Sequence, residues 1–171
     1  MSQGQVSLLA ADAAGVARVI ISHPGKLNAL SVVMWCELRA IFDALNTAAD
    51  PPRVVLLHGD GGHFVAGGDI EEFPSFRFDE QRLRHFHEEA VAPALQAMLN
   101  CDIPLVAQID GACVGGGLEI AACCDLRICG RASRFGIPIA RLGFPLAPSE
   151  AAIVSRSGRY VRFALVVSSI E

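Results

Sequence analysis

The stretch that most constrains this chain is residues 115–119, which read Gly-Gly-Gly-Leu-Glu. Apolar runs lie on both sides, at residues 105–109 and 120–124. This order predicts a strand that breaks into a glycine turn and opens a helix. The first N–H groups of a helix lack intrahelical acceptors and, with the helix dipole, favour an oxygen that gains negative charge. Because Glu119 falls in the first turn, the pattern indicates an oxyanion site beside a carboxyl group, which suits proton transfer next to a carbonyl.

A second glycine turn follows another apolar run. Residues 54–57 are all apolar, and after the turn at residues 59–62 the chain reads Phe-Val-Ala-Gly-Gly-Asp at residues 64–69. Two such turns can offer two N–H groups to one oxygen. Each pattern alone fits an ordinary tight turn, so it is their combination that indicates a functional site.

Six segments, taken together and in order, resemble the crotonase superfamily, which has the enoyl-CoA hydratase/isomerase fold. They lie within residues 26–30, 64–69, 103–111, 115–119, 124–128 and 135–143. The resemblance implies an α/β fold of the ClpP/crotonase type, a spiral of ββα repeats.

The resemblance covers roughly residues 5–154, so we expect a crotonase-like core domain over residues 1–154 and an atypical tail over residues 155–171. Members of the family usually continue with several helices that cover the acyl pocket and help to build a trimer. We therefore expect much of the usual C-terminal helical region to be lacking, as in a truncated or frame-shifted product.

The resemblance gives chemical roles to three residues. Gly68 and Gly116 would supply the two N–H groups of an oxyanion hole, which binds the thioester oxygen as an enolate forms. Glu119 matches a glutamate that acts as general acid and base, and an apolar pocket would raise the pKa of its carboxyl group. The structural alternatives are a tight turn at Gly68 and a Glu119 that only stabilises the start of its helix.

The family has a second catalytic glutamate directly after the residue that matches Pro138, where this chain has Ile139. Isoleucine cannot hold a water or move a proton. The resemblance therefore implies a one-carboxylate reaction, such as the shift of a double bond or the formation and quenching of an enolate. Arg141 and Glu150 are nearby in sequence, but the sequence does not place either of them at the site.

Five further residues match segments that bind the CoA part of the substrate in the family. Lys26 either pairs with a phosphate or is an exposed loop lysine, and Leu27 would act through its backbone. Ala66 and Ile70 match positions that hold the pantetheine and adenine groups. Asp69 more often fixes its turn through hydrogen bonds to backbone N–H groups.

The sequence also predicts a long helix over residues 79–99. Pro93 should cause a kink or a break in it. His85 and His87 lie on it, in a region that approaches the acyl group in some relatives. Since residues two apart point to different sides of a helix, at most one of them can reach the site. Surface or hydrogen-bonded histidines fit this pattern better.

Composition excludes several classes of function. The chain has 171 residues, 52% of them hydrophobic, which suffices for one domain with a substantial core. A net charge of −4 argues against a nucleic-acid partner. No apolar run reaches membrane-spanning length, and the N-terminus lacks the pattern of a secretory signal. The six cysteines form no CxxC pair, which favours buried thiols in a reducing cytoplasm over a metal site.

The sequence therefore predicts a cytoplasmic enzyme that processes acyl-CoA thioesters, with coenzyme A as part of the substrate and no other cofactor. The resemblance also implies a homo-oligomer, a trimer or hexamer. The alternative is a catalytically impaired crotonase-like protein that binds acyl-CoA or acts only through assembly. A serine or cysteine hydrolase on a related spiral is disfavoured, because no nucleophile with a histidine partner occupies a strand-to-helix elbow.

Overall fold

The computed structural model describes residues 3–138 and 147–158. The strands are β1 Gln5–Leu9, β2 Val16–Ser22, β3 Val54–Gly59, β4 Leu105–Ile109, β5 Ala112–Val114, β6 Leu126–Cys129 and β7 Arg134–Gly136. The helices are α1 Val32–Asn46, α2 Glu80–His85, α3 Ala92–Leu99, α4 Gly116–Cys123 and α5 Pro148–Gly158, with a 3-10 turn at Phe73–Ser75 and a π-helical segment at Phe86–Val91. Within this part of the chain, no helix is long and apolar enough to cross a membrane.

Five strands form one sheet in the order β1-β2-β3-β4-β6. The β1–β2 pair is antiparallel, and the remaining neighbours are parallel. Parallel neighbours need crossover connections, which are supplied by α1, by the helical region after residue 79, and by α4. β5 and β7 form a second, two-stranded parallel sheet. This alternation of strands and helices confirms the predicted α/β class.

The core lies between the main sheet and the helices. Every second residue of β2 is buried, and Leu38 and Phe42 of α1 are fully buried as well. Burying one such large apolar side chain stabilises the fold by about 1.5–3 kcal/mol. Ser31 caps α1, because its hydroxyl oxygen accepts a hydrogen bond from the N–H of Met34 at 3.2 Å. Serine is a preferred residue at this position, so the start of α1 is encoded locally in the sequence.

The predicted helix over residues 79–99 is helical throughout and is split into α2 and α3, with Pro93 in the first turn of the second piece, as predicted. Asp79 caps α2, and a π-helical segment joins α2 to α3. There the N–H of Ala92 donates to the carbonyl of His87, five residues back. Pro93 lies in the first turn of α3, where its missing N–H costs little. The wider π turn before it accommodates the proline ring, which would clash with the preceding turn of a regular α-helix.

The structure differs from the sequence expectations at two further places, and two expected features lie outside the described residues. The strand β5 was not predicted, and residues 155–158, expected to be irregular, continue α5. Because α5 runs across residue 154, the division into core and tail stays a prediction. The expectations for Ile139 and Arg141 lie outside the described residues.

Asn28 ties together the loops that precede the candidate site. Its backbone has a positive φ of 59°, a conformation that asparagine adopts more easily than most residues. Its side-chain amide donates to the carbonyls of Asp60 and His63, both at 2.8 Å, and its side-chain oxygen accepts from the N–H of His23 at 2.9 Å. One buried side chain thus satisfies three backbone groups from separate parts of the chain.

We expect the substitution Asn28→Ala to lower the free energy of unfolding by about 2–4 kcal/mol, because it leaves several buried backbone groups without partners. Urea denaturation followed by circular dichroism measures this loss. The matched control is Asn100→Ala, at an exposed position after α3, which should stay within about 0.5 kcal/mol of the wild type. Equal losses in the two variants would contradict the role given to Asn28.

Candidate active site

The two predicted glycine turns lie against each other. A Cβ atom built on Gly115 would lie 3.6 Å from the Cα of Gly67, and one built on Gly67 would lie 3.5 Å from the carbonyl oxygen of Val114. Gly67 and Gly115 have positive φ angles of 104° and 51°, which side-chain-bearing residues rarely adopt. The sequence pattern therefore marks two turns that meet in space.

The N–H groups of Gly68 and Gly116 have no acceptor among the residues that the structure describes. Leu30 pairs with the first turn, its N–H donating to Gly67 at 2.7 Å and its carbonyl accepting from Asp69 at 2.8 Å. This pairing uses the residues on both sides of Gly68 and leaves the N–H of Gly68 free. Gly116 begins α4, where the first N–H groups lack intrahelical acceptors. Both N–H groups are thus available to a ligand.

Glu119 lies in the first turn of α4 and is only 5% exposed. Burial raises the pKa of its carboxyl group to about 8, and the nearby carboxyl group of Glu150 adds to this effect. A carboxyl group with such a pKa holds its proton near neutral pH and releases it slightly above. It is therefore suited to both give and take a proton, as a general acid or base must.

Glu150 and His87 form a hydrogen-bonded pair, and its buried member, Glu150, is near enough to Glu119 to raise the pKa of the Glu119 carboxyl group. Glu150, from α5, is 3% exposed, and its Oε1 lies 2.5 Å from the Nδ1 of His87 in the π-helical segment. His85 is exposed, so only one of the two candidate histidines points inward, as predicted. The partners are 63 residues apart in sequence, and no spacing rule could have paired them.

A row of aromatic side chains connects the Gly68 turn with His87. A Cβ on Gly68 would lie 3.2 Å from the ring of Phe73. The ring centroids of Phe73 and Phe76 are 5.7 Å apart, those of Phe76 and Phe86 4.7 Å, and those of Phe86 and His87 5.0 Å. The sequence predicts irregular structure at Phe73 and Phe76 and does not reveal this row. It provides an apolar wall next to the first glycine turn.

Trp35 lies at the second glycine turn. Its side chain is buried, and its Cζ2 atom lies 2.8 Å from the position that a Cβ on Gly116 would take. The indole N–H has no acceptor in the described part of the chain. Only glycine fits at residue 116 while the Trp35 ring keeps this position.

Lys26 is held by two carboxylates. Its Nζ lies 2.6 Å from Asp69 and 2.9 Å from Glu71, and the hydrogen bond to Asp69 is the main cause of the raised pKa of Lys26. Burial opposes the ionisation of Asp69, but the bonds from Lys26 and from the Glu71 N–H outweigh burial and lower the pKa of Asp69. The second Asp69 oxygen accepts from the N–H of Glu71, which is the turn-fixing bond that the sequence predicts. The charge of Lys26 is thus already matched before any phosphate binds.

The other three candidate CoA-binding residues lie beside this ion pair in the chain. Leu27 has a positive φ of 50° and an exposed side chain, and its carbonyl accepts from the N–H of Ala66 at 3.1 Å. Its backbone therefore helps to order the extended segment that leads into the first glycine turn. Ile70 is largely exposed, so its apolar side chain is open to a ligand.

The cysteines are free thiols and most of them are buried. Burial raises the pKa of Cys113 and of Cys123 to about 12, so these thiols stay protonated at physiological pH. Cys123, one turn after Glu119, is therefore a poor nucleophile. The raised pKa agrees with the sequence analysis, which disfavours a cysteine hydrolase. Within residues 3–138 and 147–158, no group of three His, Cys, Asp or Glu side chains could hold a metal ion.

A comparison with known protein families decides between the classes that such a site allows. Residues 11–157 match the family model described as enoyl-CoA hydratase/isomerase. The chain belongs to the enoyl-CoA hydratase/isomerase family. The resemblance inferred from the six sequence segments is thereby confirmed.

Individual relatives include both hydratases and isomerases. The chain is 34% identical over 125 residues to a probable enoyl-CoA hydratase of Bacillus subtilis, across 73% of this chain and 47% of that protein. It is 32% identical over 133 residues to the peroxisomal Delta(3,5)-Delta(2,4)-dienoyl-CoA isomerase of Arabidopsis thaliana, across 71% of this chain and 47% of that protein. The chain thus spans about half the length of the curated relatives that it matches.

Solved structures confirm the fold. An enoyl-CoA hydratase/carnithine racemase from Magnetospirillum magneticum superposes with a TM-score of 0.82 at 33% identity, covering 91% of this chain and 57% of that one. A putative family member from Hyphomonas neptunium gives a TM-score of 0.78 at 34% identity, covering 86% of this chain and 55% of that one. The predicted crotonase-like fold is therefore correct.

Because the folded-state pKa of Glu119 is about 8 and its ordinary value is 4.5, we expect this group to lower stability as pH rises. The unfolded chain releases the proton first, so the stability present below pH 4.5 is lost progressively up to about pH 8. Glu119→Gln removes this loss, and its free energy of unfolding should exceed that of the wild type by a margin that grows with pH to roughly a few kcal/mol. Urea denaturation at roughly pH 5, 7 and 9, which span most of the range between the two pKa values, measures this margin. A constant margin, or an equal trend in the exposed control Glu89→Gln, would contradict the assignment.

Proposed function

We propose that the chain is an acyl-CoA thioester-processing enzyme in which Glu119 transfers a proton at the carbon next to the thioester carbonyl. The observation that carries this proposal is the placement of a buried carboxyl group on the same helix turn that begins with the free N–H of Gly116. The N–H of Gly68, on the adjoining turn, supplies a second donor. Family membership supports the substrate class.

The proposed chemistry is the formation of an enolate. The thioester oxygen accepts hydrogen bonds from Gly68 and Gly116, and ionised Glu119 takes a proton from the neighbouring carbon. The electron pair of the broken C–H bond moves toward the thioester oxygen, where the two N–H groups stabilise the growing negative charge. One such donor typically contributes about 3–4 kcal/mol in the transition state.

The proton on Glu119 can then return to a different carbon of the acyl chain, which shifts a double bond. We favour this isomerisation over hydration, because hydration in the two-glutamate manner uses a carboxyl group at the position of Ile139. The aromatic row from Phe73 to Phe86 supports an apolar acyl chain next to the Gly68 turn. The reaction needs no metal or redox cofactor, and coenzyme A enters as part of the substrate.

We propose that the CoA part binds along the segment that contains Leu27, Ala66 and Ile70. The exposed apolar side chain of Ile70 supports contact with the adenine or pantetheine group. Lys26 remains the candidate for a phosphate, and binding would require the phosphate to take the place of the exposed Glu71 carboxylate. Asp69 stays in place and keeps both Lys26 and the turn in position.

We also propose that the protein forms a trimer or hexamer and acts in the cytoplasm. Leu126 and Ile128 of β6, and Phe135 of β7, are exposed apolar side chains. β6 has one neighbouring strand among the described residues, and such edges are usually covered. The free cysteines support a reducing compartment. The same exposed surface favours the second candidate, a catalytically impaired protein that binds acyl-CoA or acts only through assembly.

Incubation with crotonyl-CoA and with a 3-enoyl-CoA in deuterium oxide tests the proposed chemistry. We expect the 3-enoyl-CoA to become a 2-enoyl-CoA, as followed by mass spectrometry, and deuterium to enter the acyl chain to the extent that the Glu119 proton exchanges with solvent before it returns. Glu119→Gln should lower the rate by about 10²-fold or more, since the general base is lost. The exposed control Glu89→Gln should retain the wild-type rate. Acyl-CoA binding without exchange or turnover in the wild type would favour the second candidate instead.

Enlargement of residue 116 tests the proposed oxyanion hole. We expect Gly116→Ala to lower kcat by about 10²-fold, because the new methyl group would meet the Trp35 ring and displace the N–H donor. Gly136→Ala is the matched control, as a Cβ there meets no atom of the described residues within 4 Å. Steady-state kinetics measure both variants, and a thermal melt of each verifies folding. Full activity in Gly116→Ala would contradict the role of this N–H group.

A further inference from the structure

A second carboxyl group, that of Glu150, lies buried near the proposed base and has no role in the proposed reaction. It comes from α5, which packs on α4, the helix that carries Glu119. Its Oε1 is 2.5 Å from His87 Nδ1, a short distance for a hydrogen bond and typical of one that involves a charged group. Burying such a pair is costly unless it is well hydrogen-bonded, so the position needs a reason.

The surroundings of the pair contain few other groups with which it could exchange a proton. α4 contributes Glu119 and the Cys123 thiol, and burial keeps the thiol protonated. α3, which also packs on α5, contains no ionisable side chain. In the π-helical segment, Glu88 and Glu89 are exposed. Within the described residues, Glu119 and His87 are therefore the remaining candidates for proton exchange with Glu150.

The three groups also differ in their access to water. Glu119 and Glu150 are 5% and 3% exposed, whereas the side chain of His87 is 18% exposed. Two carboxyl groups in one apolar region resist simultaneous ionisation, so a proton held by one is favoured to stay within the pair. His87 is the member through which that proton can reach solvent.

We propose that Glu150 and His87 form a proton relay that connects Glu119 to solvent. Glu119 alone touches the substrate, and the pair acts as its positioning and proton-exchanging partner. This inference rests on the proposed function of Glu119.

Protons and electrons are conserved at each step of the relay. Glu119 takes the proton from the acyl carbon and becomes neutral while the enolate holds the electron pair. The proton passes from Glu119 to Glu150 as Glu150 passes a proton on to His87, which releases one to water, so the two carboxyl groups are never ionised together. A solvent proton returns by the reverse path and is delivered by Glu119 to the new carbon, which completes the double-bond shift. No oxidant, reductant or co-reactant is needed.

The relay has an isotopic consequence that a purely structural pair lacks. Without it, the proton stays on Glu119 and returns to the same substrate molecule, so the product retains hydrogen. With it, turnover in deuterium oxide places solvent deuterium in the product. The ratio of deuterium incorporated to molecules isomerised therefore reports the relay, independently of the rate.

The experiment measures this ratio with a 3-enoyl-CoA for the wild type, Glu150→Gln and His87→Gln. A glutamine at residue 87 can still donate a hydrogen bond to Glu150 but cannot carry a proton, so it keeps the pair folded. We expect both variants to lose most of the solvent label per turnover. The controls are Glu89→Gln and His85→Gln, at exposed positions of the same helical region, which should keep the wild-type ratio.

The pH dependence of kcat and of unfolding supplies a second measurement. In Glu150→Gln the neighbouring charge is absent, so the midpoint of the Glu119 titration should move to lower pH. The same shift should occur in the pH dependence of the unfolding free energy, which requires no catalysis. This shift reports the electrostatic coupling of the two carboxyl groups and would also accompany a purely structural pair, so the isotope ratio is the measurement that distinguishes the relay.

The outcomes separate the two proposals. An unchanged isotope ratio in both variants, with normal isomerisation, would overturn the relay and leave the function of Glu119 intact. No isomerisation or exchange by the folded wild type would overturn the proposed function, and the relay with it. A lowered ratio in both variants, with unchanged ratios in both controls, is the result expected from the relay.

Discussion

The contact between the two glycine turns is the constraint on which the rest of the site depends. Gly67 and Gly115 lie within van der Waals range of each other, and both have positive φ angles that favour glycine. This approach brings the start of α4 next to the loop after β3. The position of Glu119, the free N–H groups and the fit of the Trp35 ring all follow from it.

Burial of Glu119 sets the protonation state of its carboxyl group at neutral pH. A carboxyl group in water would be ionised at neutral pH, whereas Glu119, surrounded by the packed helices α3, α4 and α5, keeps its proton. The burial of the Glu119 carboxyl group lowers stability locally. The packing of buried apolar residues such as Leu95 and Ile120 offsets this loss. The site therefore combines a stable apolar core with one group held away from its preferred charge state.

The sequence predicts local features well and distant contacts poorly. The cap at Ser31, the strand over residues 105–109 and the glycine turns follow from propensities and spacing, and the six family segments predict the fold. The pairing of Glu150 with His87 joins elements 63 residues apart, and no local pattern encodes it. The π-helical segment was not predicted for a related reason. Pro93 indicates that the helix is irregular, but it does not specify that a π turn accommodates the irregularity.

The π-helical segment Phe86–Val91 also affects how this chain is compared with its relatives. A π turn holds about one residue more than an α turn, and each residue of an α-helix turns the chain by roughly 100°. The side chains before the segment are therefore rotated relative to α3 in a way that a regular helix would not reproduce. A gap-free alignment with a relative that lacks the extra residue would pair His87 with a position on another face of the helix. Structural superposition, rather than sequence alignment, is the sound way to find its counterpart.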